Sequence, residues 1–217
     1  EPVCALLDGP RTSVALPSCP SVLVPNAGEY GYYRYDTDEP TFVKLLAKLN
    51  TLAPAERAGV IANTWALVLG GRRGSEDVLR VLGAIDWKKE RSRVVFEAAI
   101  SVLEELEQTL VDERSRKDFG KLVSRVLGPV VKELGTAPRA GEPMTSSLLR
   151  AAAVGALFDL GDDAALAKKL GPLGRAYLDQ GGGAGAPLDA DVAQKALEML
   201  AAQGGAIGAE DLERAKH

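Results

Sequence analysis

Proline divides this sequence into two unlike parts. Pro2, Pro10, Pro17, Pro20 and Pro25 punctuate its beginning, and the apolar runs between them are as short as Val14-Ala15-Leu16 and Ser21-Val22-Leu23-Val24. A helix interior does not tolerate that density, because proline lacks the amide hydrogen and its ring strikes the preceding turn. Short strands fit, with turns at Asp8-Gly9-Pro10 and Asn26-Ala27-Gly28. Tyr30-Gly31-Tyr32-Tyr33-Arg34-Tyr35 reads as extended chain, with Tyr33 and Tyr35 on one face and Tyr32 and Arg34 on the other. So few strands bury no core by themselves. Residues 1–36 are therefore expected to end a β-sandwich whose other strands lie upstream.

From about residue 39 the apolar period becomes helical. Glu39-Pro40 sets proline at a helix start, and Phe42, Leu45, Leu46 and Leu49 share one face. Pro54 opens a second helix with Ile61, Trp65 and Val68 in register, stopped by Gly70-Gly71. Ser75 is a good cap, with Glu76 and Asp77 suited to the helix dipole in the first turn. The longest helix is expected to begin near Asp86 and to bury Val95, Ala99, Val102, Leu106 and Leu110. The next carries Phe119, Val123, Val126 and Val130, with a kink predicted at Gly128-Pro129 and a stop at Gly135. Thr136 to Glu142 reads as a loop, and Leu149, Ala153, Ala156 and Leu160 mark a helix ended by Gly161. Asp162 is placed as the cap of a helix that Gly171-Pro172 splits, Gly181–Gly185 as a linker, and Asp189 as the cap of a helix closed by Gly204-Gly205. A short last helix is expected from Ala209. Together these make about nine amphipathic helices with short connections. The expected fold is mainly α: residues 37–217 form an α-solenoid of antiparallel helix pairs, a HEAT/armadillo-like right-handed superhelix, after a few short strands.

Composition excludes several functions. The net charge is -4 and arginines alternate with carboxylates, so there is no basic stripe for nucleic acid. The tyrosines of residues 30–35 thus read as packing at a domain junction, not as a stacking platform for bases. No apolar run reaches the length of a membrane span. Glu1-Pro2-Val3-Cys4 is no signal peptide, and the chain reads as starting in mid-protein. Cys4 and Cys19 are too few for a disulfide framework and pair only if neighbouring strands bring them together. The lone histidine, His217, reads as part of a tail. Gly181–Gly185 has no preceding strand and no following Lys-Ser or Lys-Thr, so it is no phosphate loop. Glu104, Glu105 and Glu107 are adjacent carboxylates of which most face solvent, away from their helix's apolar stripe, so no general acid/base role is read for them.

Three passages in order carry a resemblance. Val24-Pro25-Asn26-Ala27-Gly28-Glu29-Tyr30-Gly31-Tyr32-Tyr33-Arg34 resembles the passage of the aminopeptidase N family where the β-sandwich domain hands over to the C-terminal helical domain. Leu52-Ala53-Pro54-Ala55-Glu56-Arg57, continuing to Asn63-Thr64-Trp65-Ala66-Leu67, is similar to that family's next helix, with Asn63 where the family carries a carboxylate. Leu148-Leu149-Arg150 and Leu160-Gly161-Asp162 resemble a later helix pair. The resemblance implies a parent zinc enzyme that removes N-terminal residues from peptides. It also implies a helical domain that closes over the active-site cavity and contacts the parent's catalytic and β-sandwich domains and the peptide. Zinc would be held elsewhere, by H-E-x-x-H and a downstream Glu. One terminal histidine cannot supply two imidazoles to one ion, so no cofactor is expected in this chain.

Five residues are singled out at the junctions. Arg34, beside Tyr33, is expected to make a buried ion pair fixing the strand-to-helix passage. Arg57 should tie the first helices together near Trp65, and Arg150, amid Leu148, Leu149, Ala151 and Ala152, should bridge helices by a salt bridge. An alternative is a stand-alone helical-repeat scaffold that binds a protein or peptide on its concave face. An independent hydrolase lacks any nucleophile–base or metal constellation.

Overall fold

Among the described residues Glu39–Lys48 begins a run of eight α-helices: α1 (Glu39–Lys48), α2 (Pro54–Leu69), α3 (Ser75–Ala84), α4 (Arg93–Leu110), α5 (Arg116–Leu134), α6 (Met144–Gly161), α7 (Ala164–Gln180) and α8 (Ala190–Ala202). Short 3-10 turns occupy Ala27–Glu29 and Leu49–Thr51. The computed structural model describes residues 3–6, 9–161, 164–180 and 188–202, so Asp162, the Gly181–Gly185 linker, Gly204-Gly205 and the short helix from Ala209 lie outside the described residues. The fold is mainly α. The chain divides into two compact units, Glu1–Ile85 and Asp86–His217.

In the first unit the helix starts follow local chemistry. The Asp38 carboxylate accepts the Thr41 amide at 3.0 Å and Pro40 fills a first-turn position whose amide would be unmet. Pro54 opens α2, and Glu56 reaches back to accept the Ala53 amide at 2.9 Å. Gly70 ends α2 and Gly71 takes φ +66°, where a side chain would be strained. Helix α3 begins one residue earlier in role than expected: Gly74 is the cap and Ser75 the first helical residue. Phe42, Leu45 and Leu49 close over Val60, Ile61, Trp65, Val78, Val81 and Leu82 to form the core.

No strand forms among the described residues of 1–36. A β-ladder needs a second backbone. Here the peptide groups that a neighbouring strand would satisfy are taken by side chains, those of Tyr35 by Asn63 and those of Gly31 by Asn26.

In the second unit α6 packs against α4, α5 and α8, and α7 against α8. Helix α6 is central because it is apolar almost all round, with buried Ala153 and Ala156 on its packed side. The long helix expected from Asp86 starts instead at Arg93. Asp86 opens only one turn, its carbonyl accepting the Lys89 and Glu90 amides. The buried Glu90 carboxylate then takes the Arg91 and Ser92 amides at 2.9 and 2.8 Å, ending that turn and starting α4 afresh. Trp87 packs on Phe96 with ring centroids 5.4 Å apart. Helix α5 carries Pro129 inside it and stops at Gly135, φ +71°. Helix α7 is not split at Gly171-Pro172 but runs through Pro172. Leu170 and Leu178 on either side are fully buried, and Gly174 lets the α8 backbone at Ala196 come so near that a Cβ would lie 2.6 Å from its carbonyl oxygen.

Candidate functional site

Polar chemistry in the first unit gathers where residues 25–37 lie on α2. Asn26 is buried at the start of this strap. Its Oδ1 accepts the Gly31 amide at 2.9 Å, and its Nδ2 donates to the Gly31 carbonyl at 2.9 Å and to Glu29 Oε2 at 3.2 Å. Asn63 on α2 treats Tyr35 in the same bidentate way: the Tyr35 amide donates to Oδ1 at 3.1 Å, and Nδ2 donates to the Tyr35 carbonyl at 2.8 Å. Both oxygens of Glu56 accept amides, Gly28 at 3.0 Å and Ala53 at 2.9 Å. Glu29 Oε1 and the Tyr35 hydroxyl are buried without hydrogen-bond partners. Burial pushes the Glu29 carboxyl above the usual glutamate range, the Asn26 amide pulls it partly back, and the Glu56 charge adds to the rise. Burial likewise raises the Tyr35 phenol, with the Glu29 charge as the next cause.

Arg73 closes the far end of the strap. It donates to the Asp36 carboxylate at 2.8 Å, the Thr37 carbonyl at 2.6 Å and the Asp77 carboxylate at 3.1 Å, and its guanidinium lies 4.3 Å from the centroid of the Phe42 ring. Tyr35, Phe42, Asn63, Thr64, Leu67 and Arg73 line a shallow hollow whose enclosed space, about 10 Å³, has room for no more than one water molecule. That is far short of the roughly 300–1,000 Å³ of a small-molecule pocket.

The second unit has its own arginine hub. Arg150, fully buried on α6, donates from Nη1 to Asp189 Oδ2 at 2.5 Å and from Nη2 to Glu142. Ser147 adds a hydrogen bond to the same Asp189 oxygen at 2.7 Å, and Asp189 Oδ1 accepts the Asp191 amide at 3.1 Å, capping α8. Glu142 Oε1 and Arg150 Nε remain buried and unmatched. The hydrogen bond from Arg150 holds the Glu142 carboxyl below its ordinary value. Burial alone would raise Asp189, but the bonds from Ser147, the Asp191 amide and Arg150 outweigh it and hold that carboxyl low. Among the described residues no group of three or more His, Cys, Asp or Glu stands where it could hold a metal ion, so this donor set does not fit zinc. What the two clusters can do is fix segments: a strap on α2, and the α8 start on α6.

Residues 22–216 match the family described as ERAP1-like C-terminal domain. The chain belongs to that family. Two rice (Oryza sativa subsp. japonica) relatives are similar to it. Aminopeptidase M1-A is 26% identical over 148 residues, 65% of this chain and 16% of that protein. Aminopeptidase M1-B is 28% identical over 143 residues, 64% of this chain and 16% of that protein. The chain therefore spans a small part of the length of the relatives it matches. No helix among the described residues is long and apolar enough to cross a membrane.

Within this ERAP1-like domain the five junction residues separate. Arg34 is exposed, so the buried ion pair expected of it is not made; its charge acts on Glu29 through space. Tyr33 is half-exposed and donates its hydroxyl to the Pro25 carbonyl at 2.6 Å, closing the strap on itself. Arg57 donates to the Leu52 carbonyl at 2.5 Å and so holds the first turn of α2 to the connection before it. Trp65 is buried on α2, and Arg150 lies at the centre of the second cluster. Sequence reasoning missed Arg73, Glu29 and Glu142. The signal for Arg73 was the Arg72-Arg73 pair just ahead of Glu76-Asp77; for Glu142 it was a carboxylate eight residues before an arginine flanked by Leu148, Leu149, Ala151 and Ala152.

Proposed function

We propose that this chain is the C-terminal helical cover of a zinc aminopeptidase. It encloses the cavity in which N-terminal residues are removed from peptides, helps admit and hold the peptide, and brings no catalytic group of its own. The family match over residues 22–216 carries this reading, because the matched relatives are named aminopeptidases and this chain corresponds to 16% of their length. Zinc chemistry then belongs to the remaining length, since imidazoles at i and i+4 cannot come from a chain whose one histidine is His217. The partners are the parent's own catalytic and β-sandwich domains and the peptide. Residues 1–36 are read as the last strands of that sandwich, paired only when the upstream strands are present. Residues 37–217 are read as stacked antiparallel helix pairs of a right-handed solenoid. Exposed Leu6, Leu23, Tyr30 and Tyr32 support a covered face near the start of the chain.

The purified chain, analysed for metal and assayed with an aminoacyl-anilide, is expected to hold no stoichiometric zinc and to show no turnover. Tight zinc with hydrolysis overturns this division of labour. The reading frame upstream of Glu1 is expected to encode H-E-x-x-H.

A further inference from the structure

We propose that docking of the strap on α2 is coupled to uptake of one proton by Glu29, so that the strap is a pH-responsive latch. Four geometric facts converge there. Glu29 Oε1 is buried with no donor, the costly condition for a carboxylate oxygen. Both oxygens of the neighbouring Glu56 are occupied by backbone amides, which leaves Glu29 Oε1 as the unmatched carboxylate oxygen of the two side chains. The carboxyl fits only because α2 carries glycine opposite it: a Cβ at Gly59 would lie 2.1 Å from Glu29 Cδ. Gly28 and Glu29 take φ +72° and +57°, a left-handed bend that aims the side chain at α2 and that a freed strap relaxes.

The charges around Glu29 do not offset this. From α2 come Glu56, which repels, and Arg57, whose guanidinium is turned to the Leu52 carbonyl. From the strap come Arg34, attractive but exposed, and the uncharged phenols of Tyr33 and Tyr35. Protonating Oε1 removes the like-charge contact with Glu56 and turns an unmet acceptor into a donor. The Tyr35 hydroxyl oxygen is an unmet acceptor in the same cluster. A carboxyl whose docked pKa lies above its free value favours docking fully below the ordinary glutamate value of 4.5, and the favour is lost as pH rises through the higher docked value. The bearing of the latch on the upstream junction rests on the function proposed above; docking itself is measured in this chain alone.

The Tyr35 amide reports docking, because its acceptor is Asn63 on α2. Native-state hydrogen exchange of that amide, corrected for the intrinsic rate, is expected to show an opening constant that rises between pH 4.5 and 7.5. The rise should be about threefold for each half unit by which the docked pKa exceeds the free one. Glu29→Gln should remove the rise, and the Glu29 carboxyl carbon of the unmodified chain should titrate above the ordinary glutamate value. A Glu29 carboxyl that titrates at or below the ordinary value overturns the proposal, as does a Glu29→Gln chain that keeps the same pH dependence.

Discussion

A single guanidinium facing two carboxylates in a dry site is stable only while all three remain. Arg150 is fully buried, and the Glu142 and Asp189 side chains are 14% and 6% exposed. Replacing the arginine strands two carboxylates, and breaking such a buried pair costs about 3–5 kcal/mol. Arg150→Met keeps the apolar stem and removes only the charge, so its cost isolates the ion pairs from packing. We expect it to lower the free energy of unfolding by about 3 kcal/mol in urea titration. A loss under about 1 kcal/mol would mean that the cluster merely breaks even against its own desolvation. Arg150 stood out in the sequence because its neighbours are Leu and Ala. Arg73 did not, since its partners Asp36 and Thr37 lie 37 and 36 residues upstream, and no local pattern announces a contact of that range.

Helix boundaries divide along the same line. Those set by backbone chemistry within a few residues were legible: Pro40 and Pro54 at starts, Gly70 and Gly135 at stops. The start of α4 was not, because apolar spacing continues through Trp87 while the buried Glu90 carboxylate takes the amides of Arg91 and Ser92 out of any helix. The strands expected before residue 37 do not form among the described residues for a related reason, since a strand is completed only where a second backbone is there to pair with it. Glu90→Ala leaves the Arg91 and Ser92 amides without that acceptor. It should destabilise the second unit by about 1–3 kcal/mol, with loss of amide protection concentrated in the first turn of α4. Gly59→Ala separates the two duties of α2. Alanine favours the helix by about 1 kcal/mol over glycine, but its Cβ evicts the Glu29 carboxyl, the mobile end of a flexible side chain. Global stability should hold or rise slightly while the Tyr35 amide exchanges faster. A fall in both would mean that the strap is part of the cooperative core and not a latch laid upon it.

At the scale of the whole chain, the two units answer acid in opposite senses at their polar centres. Glu142 and Asp189 have carboxyls held below their ordinary values. Their contribution is present above the ordinary carboxylate range, and is lost as pH falls through the depressed values. Glu29 in the first unit is raised, so the strap's gain from acid is complete near the ordinary glutamate value of 4.5, where the loss in the second unit begins. The α1 cap Asp38 is also held low by Thr41 and opposes that gain, but it is fully exposed and water screens its interaction. The Asp189 amide, bonded to the Thr136 carbonyl at 2.9 Å, reports the second unit as the Tyr35 amide reports the first. Lowering the pH from neutrality towards 3.5 should therefore first raise protection at Tyr35, which levels off near the ordinary glutamate value of 4.5, and then reduce protection at Asp189. Arg150→Met should blunt the acid loss at Asp189 and leave the Tyr35 response unchanged, since its partners Glu142 and Asp189 belong to the second unit. If both amides lose protection together at every pH, the chain unfolds as one cooperative block, and the opposed carboxyls set its midpoint without separating its parts.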